Sequence, residues 1–440
     1  CGRDLSQFRL WYRQAGTPVV EADGTYDAAK KTYALTLNQS LAPTPGQPVK
    51  KPLHIPVRLG LVGETGRALP LTLAGENAAG PDERVLELTG PKATFVFTGV
   101  EEAPLLSLGR GFSAPVVFKQ KQTMAERVRL MACDPDPFNR WEAGQKAAEE
   151  AIFALMAGKE ANADYVAAVG EVLKRAREDM AFAAHMLAPP LESELAMATN
   201  PVDPDAIHAA RLKLIRSVAA AHAPAFAELY AALDDRGPYV PDAASSGRRA
   251  LRNAVLRYLT ARDDEKAAEI ADAHYRRATN MTDMMAGLSA LSRMTSKRTD
   301  AAFAHFHDRF AREPLVLDKW MGLIAQSSRA DTVRKVRELM SDPAFDIKNP
   351  NRVRALVGAF SANPLRFHAP DGAGYTLVGD TVRSLDAINA LVAARMAGAF
   401  ETWRRYDENR QGKMRQEMEA MLALPGVSTN LYEVAAKILG

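Results

Sequence analysis

The sequence predicts a multi-domain chain: a small all-β Ig-like sandwich, then an all-α HEAT/armadillo-like superhelical solenoid. Apolar residues alternate with a period of two before residue 120 and recur at helical spacing after it. The 440 residues also exceed one compact core, at roughly 150 residues per domain. Composition sets the outer limits. With 47% apolar and 25% charged residues, wholesale disorder is excluded. A net charge of +3 leaves few spare cations for a row of phosphates, so no nucleic-acid partner is expected. No apolar run reaches the ~20 residues that cross a bilayer, so no membrane partner is expected either. Cys1 and Cys133 are too few for a disulfide framework or a thiolate metal site, which fits a reducing, cytoplasmic setting. A chain that begins with Cys instead of Met is expected to be processed, trimmed or part of something longer.

Residues 1–17 read as a short helix. Asp4 caps it, Leu5, Phe8, Trp11 and Tyr12 form one apolar face, and Gly16-Thr17-Pro18 stops it. With little beside it in sequence, this helix looks like the tail of a preceding domain. Residues 18–119 form the sandwich. Val57, Leu59 and Leu61 alternate, Glu64-Thr65-Gly66 turns, and Leu69, Leu71 and Leu73 alternate again, which predicts a hairpin with one buried face. Similar runs at 18–23, 33–39, 84–89, 93–98 and 114–119, with turns and no helix between them, predict an antiparallel sandwich.

Residues 120–440 form the helical domain. Thr123 with Glu126 is a capping box. Asp136-Pro137, Asp203-Pro204 and Asn349-Pro350 each place a cap before a proline at the first helical position. Helical spacing recurs in 148–156, 165–173, 210–218, 251–259, 284–291, 333–339, 353–360 and 385–396, without a strict tetratricopeptide or ankyrin period. Stacks of helix pairs tolerate such drift everywhere except at the apolar face.

The chain offers little catalytic chemistry. Its eight histidines (His54, His185, His208, His222, His274, His305, His307 and His368) include no His-Glu-x-x-His pair. His305 and His307 stand about 200° apart on the helix expected over 301–310, too far to share a metal. No Gly-x-Ser-x-Gly elbow and no Walker A loop occurs. Asp371-Gly372-Ala373-Gly374-Tyr375 follows a helical pattern and reads as an inter-helix turn. Cys133, beside acidic Asp134, reads as a small structural residue with a raised thiol pKa. No catalytic residue and no metal ligand is expected in these residues.

Two arginines stand out. Val353, Leu356, Val357 and Phe360 form a core face, and Asn351, Arg354 and Gly358 a separate polar stripe. On a helix read as continuous over 385–403, Arg395 falls on the apolar face, four after Leu391 and three after Val392. A guanidinium there either pairs internally, for instance with Asp380 or Asp386, or opens onto a ligand.

The whole chain resembles the C-terminal half of the bacterial M1-family aminopeptidase N enzymes (alanyl aminopeptidases). The matching stretches are Asp4-Leu-Ser-Gln-Phe8, Trp11-Tyr-Arg-Gln-Ala-Gly-Thr-Pro18, Pro52-Leu-His-Ile-Pro56 and Phe112-Ser-Ala-Pro115. They continue through Arg249-Ala-Leu-Arg-Asn253, Asn280-Met-Thr-Asp283, Asp318-Lys-Trp320, Asn349-Pro-Asn-Arg352 and Arg405-Tyr-Asp407. The resemblance implies a four-domain enzyme that removes N-terminal amino acids from peptides. Its zinc motif, His-Glu-x-x-His with a downstream Glu, and its Gly-x-Met-Glu-Asn substrate motif would lie upstream. Zinc would therefore be bound outside this chain, and the segment alone would be inactive. Its partners would be the catalytic domain of the same polypeptide and peptide substrates. The helical domain would enclose and gate the active-site chamber, with Arg354 and Arg395 at positions of family arginines that face substrate. The alternative reading is a free-standing α-solenoid that binds peptides or proteins.

Overall fold

The computed structural model describes residue 2 and residues 4–235 and 237–440; Cys1, one of the two thiols considered above, lies outside the described residues. The chain forms two compact units, one of residues 1–151 and 162–175, the other of residues 152–161 and 176–440.

The first unit opens on a 3-10 helix, Phe8–Tyr12, where the sequence predicts a longer helix. Asp4 does not cap it. The carboxylate folds back on Ser6, accepting its N–H at 2.8 Å and its hydroxyl at 2.7 Å, which closes a local turn instead. Phe8 and Tyr12 are exposed, while the Trp11 indole N–H donates to the His54 carbonyl at 3.0 Å. Gln7 and Gln14 add bonds to the carbonyls of Thr89 and Lys51, so the segment is tied to the sandwich.

The strands are β1 (Val19–Asp27), β2 (Thr32–Ser40), β3 (Ile55–Val62), β4 (Ala68–Leu69) and β5 (Thr72–Leu73), then β6 (Arg84–Leu88), β7 (Lys92–Thr98), β8 (Leu105–Leu108) and β9 (Val117–Gln120). One sheet runs β5-β7-β2-β1-β9; the other runs β4-β3-β6, with β8 also on β3. The alternating residues supply the core: Val57, Leu59 and Leu61 of β3 face Leu35 and Leu37 of β2 and Phe97 of β7. Three features differ from the expectation. The hairpin after β3 pairs only Leu61 with Leu69 and Val62 with Ala68. Pro70 has no N–H to donate, so the strand breaks there and Thr72–Leu73 crosses to pair with β7. All four residues of β8 are buried, so no alternation marks it. Finally, β1 and β9 pair in parallel (Val19 with Val117), which residue patterning does not encode.

The other face of β3 is covered as well. Gly60 lacks a side chain where the Arg110 guanidinium occupies the place of a Cβ. Arg110 donates to the Ser107 hydroxyl at 2.8 Å and pairs with Asp134 at 3.3 Å, all three buried. Asn139 donates to the same hydroxyl and to the Leu108 carbonyl. These buried polar groups fasten helices Met124–Cys133 and Pro137–Met156 to the sandwich. Thr123 and Glu126 form the expected reciprocal cap.

In the second unit most helices pack on the next one or two in sequence. Asp203 accepts the Ala206 N–H at 3.0 Å and Asn349 that of Asn351 at 3.0 Å, so both proline-led starts are capped as read. The array also curls back on itself. Val202 N–H donates to the Arg405 carbonyl at 2.7 Å, Arg405 donates to the carbonyls of Ala196, Met197 and Thr199, and Arg410 pairs with Asp205 at 2.7 Å. Residues about two hundred apart in sequence are thus joined, and no helix is long and apolar enough to cross a membrane among the described residues.

Candidate functional site

The segment carrying Arg354 is not a regular helix. An α-turn, Pro350–Val353, passes into a π-helical stretch, Arg354–Gly358, and returns to α at Ala359–Ser361. Such widened turns occur often at functional sites. Val353, Leu356, Val357 and Phe360 are fully buried, as the spacing predicts. Arg352 is buried too, donating to Asp318 at 2.8 Å and to the Pro314 carbonyl at 3.1 Å. Arg354 points outward, and its one bond is to the Asn351 amide oxygen at 2.8 Å. The predicted stripe of Asn351, Arg354 and Gly358 is therefore present.

Arg395 requires a correction. Helix Ala373–Asp386 ends before Asn389, whose side chain accepts the Val392 N–H at 3.2 Å and starts a new helix, Ala390–Ala397. Ala393, Ala394, Met396 and Ala397 are buried, whereas Leu391 and Arg395 share the exposed face. The suggested internal ion pairs are absent: Asp380 pairs with Arg383 at 2.6 Å, and Asp386 accepts from the Ser428 N–H and hydroxyl. Among the described residues, neither Arg354 nor Arg395 has a carboxylate partner. Met396, next to Arg395, lies 3.8 Å from where a Gly358 Cβ would be, so the two arginines stand on touching elements.

Several of the histidines meet protein partners. His305 meets the Tyr275 hydroxyl at 2.7 Å, and His307 lies against Trp320 with the rings tilted by 46°, so the two diverge. His368 sits between the hydroxyls of Tyr375 (3.0 Å) and Tyr406 (2.8 Å), and burial pushes it down to about 3. Burial and the Arg252 charge push His274 down to about 4. Among the described residues no three His, Cys, Asp or Glu side chains stand close enough to hold a metal. The glycines of 371–375 serve packing: Gly372 has φ +78°, and a Cβ on Gly374 would strike the carbonyls of Phe367 and Arg366. The Cys133 thiol is raised mainly by burial, with Asp134 adding to it.

The sequence reading missed a cavity of about 630 Å³ inside the second unit. It lies where consecutive helices end, at residues 260–263, 293–295, 326–329 and 362–366, with one wall from 191–216. Six arginines and two carboxylates line it. No local motif announces it, because its arginines come from separate helices.

The fold defines the class: an Ig-like domain followed by armadillo-type helical repeats. A family model described as a domain of unknown function (DUF3458) with an Ig-like fold matches residues 16–121. Its companion, described as DUF3458_C ARM repeats, matches residues 124–440, and the chain belongs to this family. Aminopeptidase N of Caulobacter vibrioides is 40% identical over all of this chain and half of its own length. Aminopeptidase N of Escherichia coli is 35% identical over 99% of the chain and 50% of its own length. A crystal structure of Legionella pneumophila aminopeptidase A in complex with aspartic acid superposes with a TM-score of 0.85 at 26% identity, over all of this chain and 50% of that one. The chain thus spans about half the length of the relatives it matches, and corresponds to their C-terminal half.

Proposed function

We propose that these 440 residues are the non-catalytic C-terminal portion of a zinc aminopeptidase, enclosing the active-site chamber and helping to bind peptide substrates. The carrying observation is end-to-end similarity to aminopeptidase N proteins twice as long. In this reading the zinc ligands lie in the missing half, since the described residues offer no metal cluster. The exposed Leu5, Phe8 and Tyr12 support a covering domain upstream, with residues 1–17 as its tail, 18–119 the sandwich and 120–440 the gating domain. Scarce cysteine supports a cytoplasmic setting. Arg354 and Arg395 take the substrate's carboxylate end or its carbonyls, a role their unpaired exposed guanidiniums support.

The test uses the long polypeptide and this chain side by side. The 440-residue chain releases no amino acid from an amino-acyl chromogenic amide and binds no stoichiometric zinc. In the long protein, Arg395→Ala raises KM for peptides of several residues about tenfold, the worth of one charged hydrogen bond, and leaves amino-acyl amides unchanged. Hydrolysis by the purified chain, or equal effects on both substrates, would overturn the reading.

A further inference from the structure

The cavity inside the second unit contains arginines of two kinds. Three of the six are spent on neighbouring helix ends. Arg216 donates to the Ala261 carbonyl at 3.0 Å, Arg329 to that of Met294 at 3.0 Å, and Arg366 to that of Ser328 at 2.7 Å. Helix C-termini leave carbonyls unbonded and carry partial negative charge, so these arginines stitch one repeat to the next. Arg329 is further tied to Asp331.

Arg293 does none of this. It follows helix Met281–Leu291, is half-buried, and has no hydrogen-bond or ion-pair partner among the described residues. It lines both the 630 Å³ cavity and a second one of about 290 Å³, which Arg257 also lines. Arg257, at the end of helix Ala243–Leu259, is likewise without a partner among the described residues. Arg211 enters the first cavity from helix Pro204–Ala221 with only its Nε used, on the Pro190 carbonyl at 2.7 Å. The nearby Glu192 is already engaged by His208 at 2.7 Å. Burial and the charges of Arg257 and Arg211 push Arg293 down to about 10, the direction expected of crowded cations lacking an anion. Unpaired half-buried guanidiniums destabilise a fold unless a ligand neutralises them.

We propose that Arg293, with Arg211 beside it in the larger cavity and Arg257 in the smaller cavity that shares Arg293, forms a binding site for a small oxyanion, a carboxylate or phosphate group held inside the helical unit. The cavity is within the ~300–1,000 Å³ range of small-molecule sites. Guanidinium forks suit both groups, since each presents paired oxygens. The site is independent of the aminopeptidase reading, because it lies wholly in residues described here.

The experiment is a thermal-shift and calorimetric titration of the 440-residue chain with inorganic phosphate and with citrate, against sodium chloride of equal ionic strength. Saturable binding with a Tm rise of several degrees over the chloride control is expected. Arg293→Gln should abolish it, and Arg257→Gln should weaken it about tenfold, the loss of one charge-assisted contact. In anion-free buffer Arg293→Gln should melt no lower than wild type, because it removes an unpaired charge. A stitching arginine, changed as Arg329→Ala, should lower Tm with or without anion. A peptide acid that displaces phosphate while its amide does not would assign the site to peptide carboxylates. Equal failure of both peptides would assign it to a free oxyanion. No saturable shift beyond chloride, or wild-type binding by both glutamine variants, would overturn the site.

Discussion

Arg352 and Arg354 stand two residues apart on one segment and live in opposite regions of the second unit. Arg352 is on the inner side, its side chain 8% exposed, with Asp318 and the Pro314 carbonyl accepting its hydrogen bonds. Arg354 is on the outer side with a single bond to Asn351. Within the second unit, the sequence stretches that carry the family resemblance fall largely in the first region: Arg352 pairs with Asp318, Asn253 and Asn280 both donate to Asp283, and Tyr406 holds His368. Such saturated groups fasten helices that a drifting apolar face alone would position loosely. A guanidinium with open donors holds nothing up, and is free for a ligand.

Acid should break the inner region hardest. The buried imidazoles of His368 and His274 protonate near 3 and 4, below the ordinary His value of about 6.5. As pH falls through ~6.5 the unfolded chain takes up protons that the native chain refuses, so stability is full above ~6.5 and is lost toward pH 3–4. At pH 5 the two together cost about 4 kcal/mol, at roughly 1.4 kcal/mol per histidine per pH unit. Urea unfolding at pH 8 and pH 5 measures this, and His368→Asn should remove about half of the difference. An unchanged midpoint in wild type would break the comparison.

Arg352→Ala comes next. It leaves Asp318 without its cation and should cost about 3 kcal/mol, the scale for breaking a largely buried pair. Gly374→Ala should follow at about 2 kcal/mol, since its new methyl meets backbone carbonyls that cannot rotate away. Urea midpoints of the two variants check both. A midpoint shift under a few tenths molar for Arg352→Ala would mean that the inner pairs are as weak as surface ones.

What the sequence made legible follows physical range. Caps act over three residues, so Thr123, Asp203 and Asn349 are read directly, and alternation over β2 and β3 marks the core. The Asn389 cap has no local signal because apolar residues continue on both sides of it, and Arg395 is misplaced by its sequence because Leu391, which marks its face, is itself an exposed apolar residue. The stripe at Arg354 is legible because the opposite face, Val353, Leu356, Val357 and Phe360, stays buried through the π-turn. Beyond local range, residue patterns say little. Neither the parallel β1–β9 pair nor the meeting of Arg293 with Arg211 in one cavity and with Arg257 in the next has a signature in neighbouring residues.

The outer region yields the smallest expected effect and the sharpest contrast. Arg354→Ala and Arg395→Ala each remove an exposed side chain: the first loses one bond to an exposed amide, and the second has no ion pair to lose among the described residues. Surface changes of this kind stay within about 0.5 kcal/mol, some sixfold below the value expected for Arg352→Ala. The π-helical turn does not depend on Arg354, because the buried Val353, Leu356, Val357 and Phe360 hold it from the inside. Melting curves of the three alanine variants in one buffer make the comparison directly. If Arg354→Ala or Arg395→Ala melts as low as Arg352→Ala, exposure does not separate ligand-facing from structural arginines, and the substrate role assigned to these two loses its physical basis.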